Sequence, residues 1–148
     1  MPSKVPIGYI DIRTFAHATE DTDKVEAALR NTIPNELVDT VVLRKSNLTG
    51  HHGNPIVLLE TRIKDKGTVQ GIFRKLSSGL SIMDKELLAG EIARHLEKGN
   101  LYVRLDKQSA YMNELRLGNT DPIHFKVHFK KSDTEEVVGI CREFGLVP

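Results

Sequence analysis

The stretch IHFKVHFK, residues Ile123–Lys130, alternates apolar and polar side chains without a break. Successive side chains of a β-strand point to opposite faces of a sheet, so this pattern predicts a strand with four apolar side chains on one face. Two histidines and two lysines fall on the other face. The strand therefore predicts an apolar core on one side and a cationic surface on the other. That surface is either a solvated strand face or a face that binds an anion.

The rest of the chain predicts hairpins mixed with helices. Strand patterns cover Val5–His17, Glu36–Leu43, Pro55–Asp65 and Leu101–Asp106, and the polar segment Thr49–Asn54 is the predicted tip of a hairpin. Helical spacing of apolar residues follows Thr19 and recurs in Thr68–Leu76, Ser81–Gly99, Lys107–Leu115 and the C-terminal segment. Hairpins without a regular βαβ repeat predict an α+β sandwich. We expect a single domain over residues 1–148, with a mostly antiparallel sheet and helices packed on one face.

Composition limits the classes of function. The 148 residues include 21 basic and 20 acidic side chains, for a net charge of +1, so any affinity for a polyanion must come from a local patch. Hydrophobic residues make up 39% and charged residues 28%, and no apolar run approaches the roughly 20 residues that span a bilayer. We expect a cytoplasmic protein with no membrane partner. The single cysteine, Cys141, lies among apolar residues and is expected to be a buried thiol.

The outward side chains of the predicted strands combine aromatic rings with arginine and lysine. Single-stranded RNA is recognised on open sheets by rings that stack on bases and cations that meet phosphates. The residues predicted to bind RNA on this face are Tyr9, Arg13, Phe15, Arg62, Tyr102, Arg104, Lys126 and Lys130, with Lys107 and Gln108 added at the sheet edge. Asp11, Glu60 and Asp106 share the face, so an ion-paired surface or a homodimer interface is the alternative.

The predicted hairpin tip contains the sequence GHHG at residues 50–53. This matches the GXXG pattern of KH domains, but the KH loop joins two helices and this one joins two strands. His51 and His52 are expected either to make auxiliary RNA contacts or to belong to an ordinary glycine-bearing turn. The histidines of the last strand lie too far apart to chelate one ion, and no motif indicates catalysis. We expect no metal, no cofactor and no catalytic residue.

Several longer segments resemble an archaeal family of small RNA-binding proteins that includes predicted exosome subunits. They are FAHATEDTDKV (15–25), GHHGNPIVLLETRI (50–63), LSSGLS (76–81) and LYVRLDKQSAYMNELRLG (101–118), followed by DPIHFKVHF (121–129). The resemblance covers nearly the whole chain. It implies a fold similar to that of the ribosomal protein that binds 5S ribosomal RNA, an RNA-related role and no catalytic residues.

Together these observations predict a non-enzymatic RNA-binding protein that binds single-stranded or irregular RNA. The resemblance places it in an RNA-processing or RNA-degrading assembly, with exosome or ribosome-associated proteins as partners. The competing hypothesis is an interaction module whose open sheet face is buried in a homodimer or against another protein.

Overall fold

A six-stranded antiparallel sheet organises the computed structural model, which describes residues 6–50, 52–131 and 133–148. The strands are β1 (Ile7–Ala16), β2 (Arg44–Thr49), β3 (Pro55–Ile63), β4 (Leu96–Glu97), β5 (Asn100–Leu105) and β6 (Ile123–Phe129). Their spatial order is β2-β3-β1-β6-β5-β4, so β1 pairs with β3 on one side and with β6 on the other. The predicted α+β architecture is confirmed.

Six α-helices accompany the sheet in the described part of the chain. They are α1 (Thr22–Arg30), α2 (Lys66–Gly79), α3 (Ile82–Gly90), α4 (Ile92–His95), α5 (Lys107–Tyr111) and α6 (Thr134–Phe144). Side chains cap the N-termini of α2 and α3: Asp65 accepts a hydrogen bond from the Thr68 amide, and Ser81 accepts one from the Asp84 amide. Gly145, at a φ of 82°, ends α6 in the left-handed conformation that favours glycine.

The core lies between the sheet and these helices. In β6 all four apolar side chains are buried, and α1 and α2 pack on the same side of β1. The Phe73 ring of α2 meets Phe129 edge-on at 5.8 Å and Phe144 of α6 at 4.9 Å. Since burial of a large apolar side chain contributes about 1.5–3 kcal/mol, these contacts hold the helices to one face of the sheet. Cys141 is also buried, as predicted, and burial raises the pKa of its thiol to about 12.

Two predicted elements were wrong, the strand Glu36–Leu43 and the long helix Ser81–Gly99. Glu36–Leu43 is not a strand but contains a short 3-10 helix at Val38–Thr40, and the strand of the hairpin is instead the polar stretch Arg44–Thr49. This strand lies at the sheet edge with five of its six side chains exposed, so its sequence carries no alternating apolar pattern. The hairpin itself is confirmed, because Thr49 pairs with Pro55 at its tip.

The helix predicted to run from Ser81 to Gly99 ends at Gly90 instead. The chain then forms the short helix α4 and the strand β4, which pairs with β5. Lys98 and Gly99, at φ values of 52° and 81°, make the tight turn between these two strands. Because lysine is uncommon in this conformation, the sequence did not predict this turn. No helix in the described ranges is both long and apolar enough to cross a bilayer.

Candidate nucleic-acid interface

The side of the sheet opposite the core is here called the open face, and it collects the polar side chains of four strands. Arg13, Arg62, Tyr102 and Arg104 are exposed there, in contrast to the buried side chains that alternate with them. The central part of the open face comprises Tyr9, Asp11, Arg13 and Phe15 of β1; Leu58, Glu60 and Arg62 of β3; Tyr102 and Arg104 of β5; and His124, Lys126 and His128 of β6. Arg44 of β2 and Glu97 of β4 lie on the same face at its two edges.

Strand register aligns five polar side chains into one line across the sheet, here called the central row. It runs from β2 to β5 through Arg44, Glu60, Arg13, His124 and Arg104, each paired with the next on the adjacent strand. Neighbouring strands lie about 4.8 Å apart, so Arg13 and Arg104 stand about 10 Å apart with His124 between them. Three strands that are distant in sequence thus bring two guanidinium groups to either side of one imidazole.

The carboxylates of Asp11 and Glu60 have arginine partners on the open face, while Glu97 lies at its β4 edge. Arg62 donates two hydrogen bonds to Asp11, at 2.7 and 2.8 Å, and Arg44 donates one to Glu60 at 2.6 Å. The bond to Asp11 is the main reason that the pKa of Arg62 is raised above its ordinary value. In the described ranges, Arg13, Arg104 and Lys126 form no salt bridge, so the positive charge of the face is concentrated on these three side chains.

The three uncompensated cations border one shallow depression. It has a volume of about 430 Å³ and is lined by Arg13, Arg104, Lys126, His124 and Tyr102, among others. The Tyr102 side chain is available at its edge, since 38% of this residue is exposed. A ring and three cations around a concave surface can accept a base and its flanking phosphates.

The surroundings of His124 favour its neutral form. Its pKa is lowered below the ordinary value, first by burial and then by the positive charges of Arg13 and Arg104, while Asp121 acts in the opposite direction. An imidazole that is neutral at pH 7 adds no charge to the depression but offers one donor and one acceptor. The sequence showed His124 as an outward residue, but its position between two arginines depends on a register that the sequence does not state.

The ring of Tyr9, predicted to stack on a base, is already stacked within the protein. His128 lies parallel to it on the β6 side, with ring centroids 4.6 Å apart and an interplanar angle of 17°. From the β3 side the Arg62 guanidinium stands 4.0 Å from the Tyr9 centroid. His128 is fixed in turn by a 2.7 Å hydrogen bond between its Nδ1 and Oδ1 of Asn100. Tyr9 therefore supports the open face, and Tyr102 is the ring better placed to stack on a base.

Phe15 lies on the open face as predicted and is half-buried, one row beyond the central row and beside Leu58. Lys130 is exposed one residue past the end of β6, where its amide donates to the carbonyl of Pro6 at 2.9 Å. His52 is exposed in the β2–β3 turn. His51 lies outside the described residues.

The structure places Lys107 away from the predicted RNA contact. Only 8% of the residue is exposed, and its ammonium group donates to the carbonyl of Phe15 at 2.8 Å and to the carboxylate of Glu20 at 3.0 Å. A further salt bridge joins it to Asp121 at 2.7 Å. The chain enters α5 directly after β5, which turns this side chain inward. Gln108 is exposed beside a depression lined by several carboxylates, a poor setting for a phosphate.

His17, Glu20 and Asp121 could in principle ligate a metal ion, because their donor atoms lie within 4.8 Å of one another. The ammonium of Lys107 already binds both carboxylates, and His17 Nε2 lies 3.0 Å from Asp121. Burial alone would raise the pKa of Asp121, but hydrogen bonds with Lys107 and His17 lower it. The cluster is thus an internal ion-pair network with its cation supplied by Lys107.

Comparison with known proteins relates this geometry to a family. A sequence model of a family described as RNA binding matches residues 9–129, which include Arg13, Tyr102, Arg104, His124 and Lys126 of the open face. The chain is 34% identical to RNA-binding protein PAB1135 of Pyrococcus abyssi, over 97% of both chains. It is 31% identical to the uncharacterized protein MJ0213 of Methanocaldococcus jannaschii, over 93% of this chain and 97% of that one. Among solved structures, the DUF54 protein AF2318 of Archaeoglobus fulgidus superposes with a TM-score of 0.79 at 27% identity, covering 93% of this chain and 99% of that one.

Proposed function

The chain belongs to this archaeal RNA-binding family, and from that premise we propose that it binds single-stranded or irregular RNA across the open face without catalysing a reaction on it. The observation that carries the proposal is the concentration of uncompensated charge: Arg13, Arg104 and Lys126 surround one depression, while the acidic neighbours Asp11 and Glu60 are paired elsewhere.

Single-stranded RNA suits this face better than a regular duplex. A-form duplexes are recognised by shape and by contacts across the wide minor groove, whereas unpaired bases can be splayed out and stacked on a ring. Tyr102 supplies such a ring at the edge of the depression, and the two arginines lie about two strand spacings apart. An RNA strand with one base stacked on Tyr102 and the neighbouring phosphates bound by the cations would follow the direction of the central row.

A protein interface is the competing use of the face. The cores of protein interfaces are depleted of charged residues, because unpaired charges are costly to desolvate. Arg13, Arg104 and Lys126, which form no salt bridge in the described ranges, would all lose water in a homodimer. Light scattering over a wide range of protein concentration tests this alternative. We expect a mass that does not change with concentration, and a dimer that excludes RNA would favour the interface instead.

The salt dependence of RNA binding tests the proposal directly. Each phosphate contact on a single strand contributes about 0.7 to the slope of log affinity against log salt, so the triple variant Arg13→Ala, Arg104→Ala, Lys126→Ala should lose about 2 from that slope. The matched control removes two arginines from the helical side, Arg74→Ala and Arg142→Ala, and should keep the wild-type slope. An equal loss of slope for each charge removed in the two variants would indicate non-specific attraction rather than a site on the open face.

We further propose an accessory role in an exosome-type RNA-processing or RNA-degrading assembly. The resemblance of the sequence to predicted exosome subunits supports this role, and it also supports a fold like that of the ribosomal protein that binds 5S ribosomal RNA. Co-purification of exosome subunits with the tagged protein from archaeal cells, before and after ribonuclease treatment, tests the association. Retention after treatment supports a protein contact, and absence of exosome subunits in both samples contradicts the role. A labelled RNA that is degraded by the pure protein with magnesium or manganese would contradict the non-enzymatic part.

A further inference from the structure

We propose that Arg13, His124 and Arg104 form a phosphate subsite that takes up a proton when RNA binds, with His124 as the group that becomes protonated. This inference rests on the proposed function and adds a specific subsite and a pH dependence to it.

The geometry of the central row makes this a three-point site for one anion. His124 pairs in register with Arg13 on one side and with Arg104 on the other, and all three side chains line the same depression. Adjacent strands are about 4.8 Å apart, so a phosphate above the imidazole lies within reach of both long arginine side chains. A protonated imidazole would add a third charged donor at the centre of the site.

Free carboxylates do not compete for this position. Asp11 lines the depression but accepts two hydrogen bonds from Arg62, and Glu60 accepts one from Arg44. Asp121, in the turn before β6, is bound by Lys107 and lies 3.0 Å from His17 Nε2. Each nearby acid thus has a cationic or imidazole partner of its own, which leaves the two guanidiniums of the subsite available for an external anion.

The charged groups around His124 act on its pKa in opposite directions. Arg13 faces it from β1 and Arg104 from β5, and both cations disfavour a protonated imidazole, while Lys126 lies two residues along β6. Asp121 opposes them only in part. A bound phosphate places negative charge among these cations and offsets their effect. The pKa of His124 is therefore expected to rise on binding, and the free and bound proteins should differ by up to one proton.

The consequence is tighter binding at lower pH. A ligand that binds together with one proton gains up to tenfold in affinity for each unit by which the pH falls, within the window between the free and bound pKa values. The phosphodiester stays ionised throughout this window. An oligouridine of about ten nucleotides is a suitable probe, since uridine does not titrate between pH 5.5 and 8 and this length covers a typical single-stranded site.

The experiment compares fluorescence anisotropy titrations of this probe at constant ionic strength from pH 5.5 to 8. Wild-type affinity should rise several-fold as the pH falls, whereas His124→Gln should show a flat profile, since glutamine does not titrate. The matched control His128→Gln removes a histidine from the same strand and face and should keep the wild-type slope. NMR titration of His124 with and without the probe reads the change in its pKa directly.

The possible outcomes distinguish the proton-linked subsite from the proposed RNA binding. Binding with no pH dependence in the wild type, or an equal dependence in His124→Gln, overturns the proton-linked subsite and leaves RNA binding intact. Absence of binding at every pH, or binding that is unchanged in the triple variant lacking Arg13, Arg104 and Lys126, overturns the RNA-binding face itself. A rise in the pKa of His124 with RNA, together with a flat profile in His124→Gln, supports both.

Discussion

Replacement of Lys107 by methionine distinguishes a structural lysine from one that binds RNA. Methionine keeps most of the buried alkyl volume but removes the ammonium that bonds to the Phe15 carbonyl, Glu20 and Asp121. Breaking a buried ion pair costs about 3–5 kcal/mol because the remaining charge is left without a partner. The Glu20 and Asp121 side chains are 31% and 37% exposed, so water can solvate part of them and the lower end, about 3 kcal/mol, is expected.

For a chain of 148 residues this loss corresponds to a fall in Tm of about 10 °C, at roughly 3–4 °C for each kcal/mol. Thermal and urea unfolding of Lys107→Met measure it. The matched control is Lys24→Met, an exposed lysine at the same depression, for which a change within about 0.5 kcal/mol is expected. The RNA salt slope should be the same in Lys107→Met and the wild type. Unchanged stability together with a reduced salt slope would refute this reasoning and restore Lys107 as an RNA contact.

Three further predictions concern the open face and its supports. Tyr102→Leu should weaken RNA binding by about 1–3 kcal/mol through loss of base stacking, measured by anisotropy, while Tyr9→Leu should mainly lower stability; the opposite pattern would contradict the assignment of the rings. His124→Gln should lose less stability than the wild type between pH 7 and pH 5, as measured by urea unfolding. The pKa of His124 is lower in the folded state than the ordinary histidine value of about 6.5. Below that value His124 takes up a proton more readily in the unfolded chain, which destabilises the wild type and has no counterpart in the variant. Gly118→Ala should lower the free energy of unfolding by about 1–3 kcal/mol, because the added carbon would lie 2.9–3.1 Å from Cβ, Cα and N of Asp106. An unchanged free energy of unfolding would mean that this turn can move.

The faces of the strands could be predicted from the sequence, because the period of two is a geometric property of any strand. Alternation alone assigned Arg13, Tyr102, Arg104 and Lys126 to the side opposite the core, where the structure places them. It failed for β2, since an edge strand with exposed side chains needs no apolar alternation and is held by backbone hydrogen bonds to β3.

The pairing of charges could not be predicted, because it depends on register between segments that are distant in sequence. The bond between Arg62 and Asp11 joins residues 51 positions apart. The charge of Arg62, one of the predicted phosphate contacts, is therefore compensated within the protein. The stack of His128 on Tyr9 follows from the pairing of these two residues in register, and an irregularity lies beside it at Gly8, where an added side-chain carbon would lie 3.1 Å from the His128 ring. Lys107 was misplaced because the sequence does not show that the chain turns inward after β5.

Chemical-shift mapping by NMR tests most directly whether RNA lies across the open face. Titration of the labelled protein with an oligouridine should shift the amides of Arg13, Tyr102, Arg104, His124 and Lys126, and should leave those of α2 and α6 unchanged. Shifts confined to α2 and α6, with the amides of β1, β5 and β6 unaffected, would contradict RNA binding on this side of the sheet.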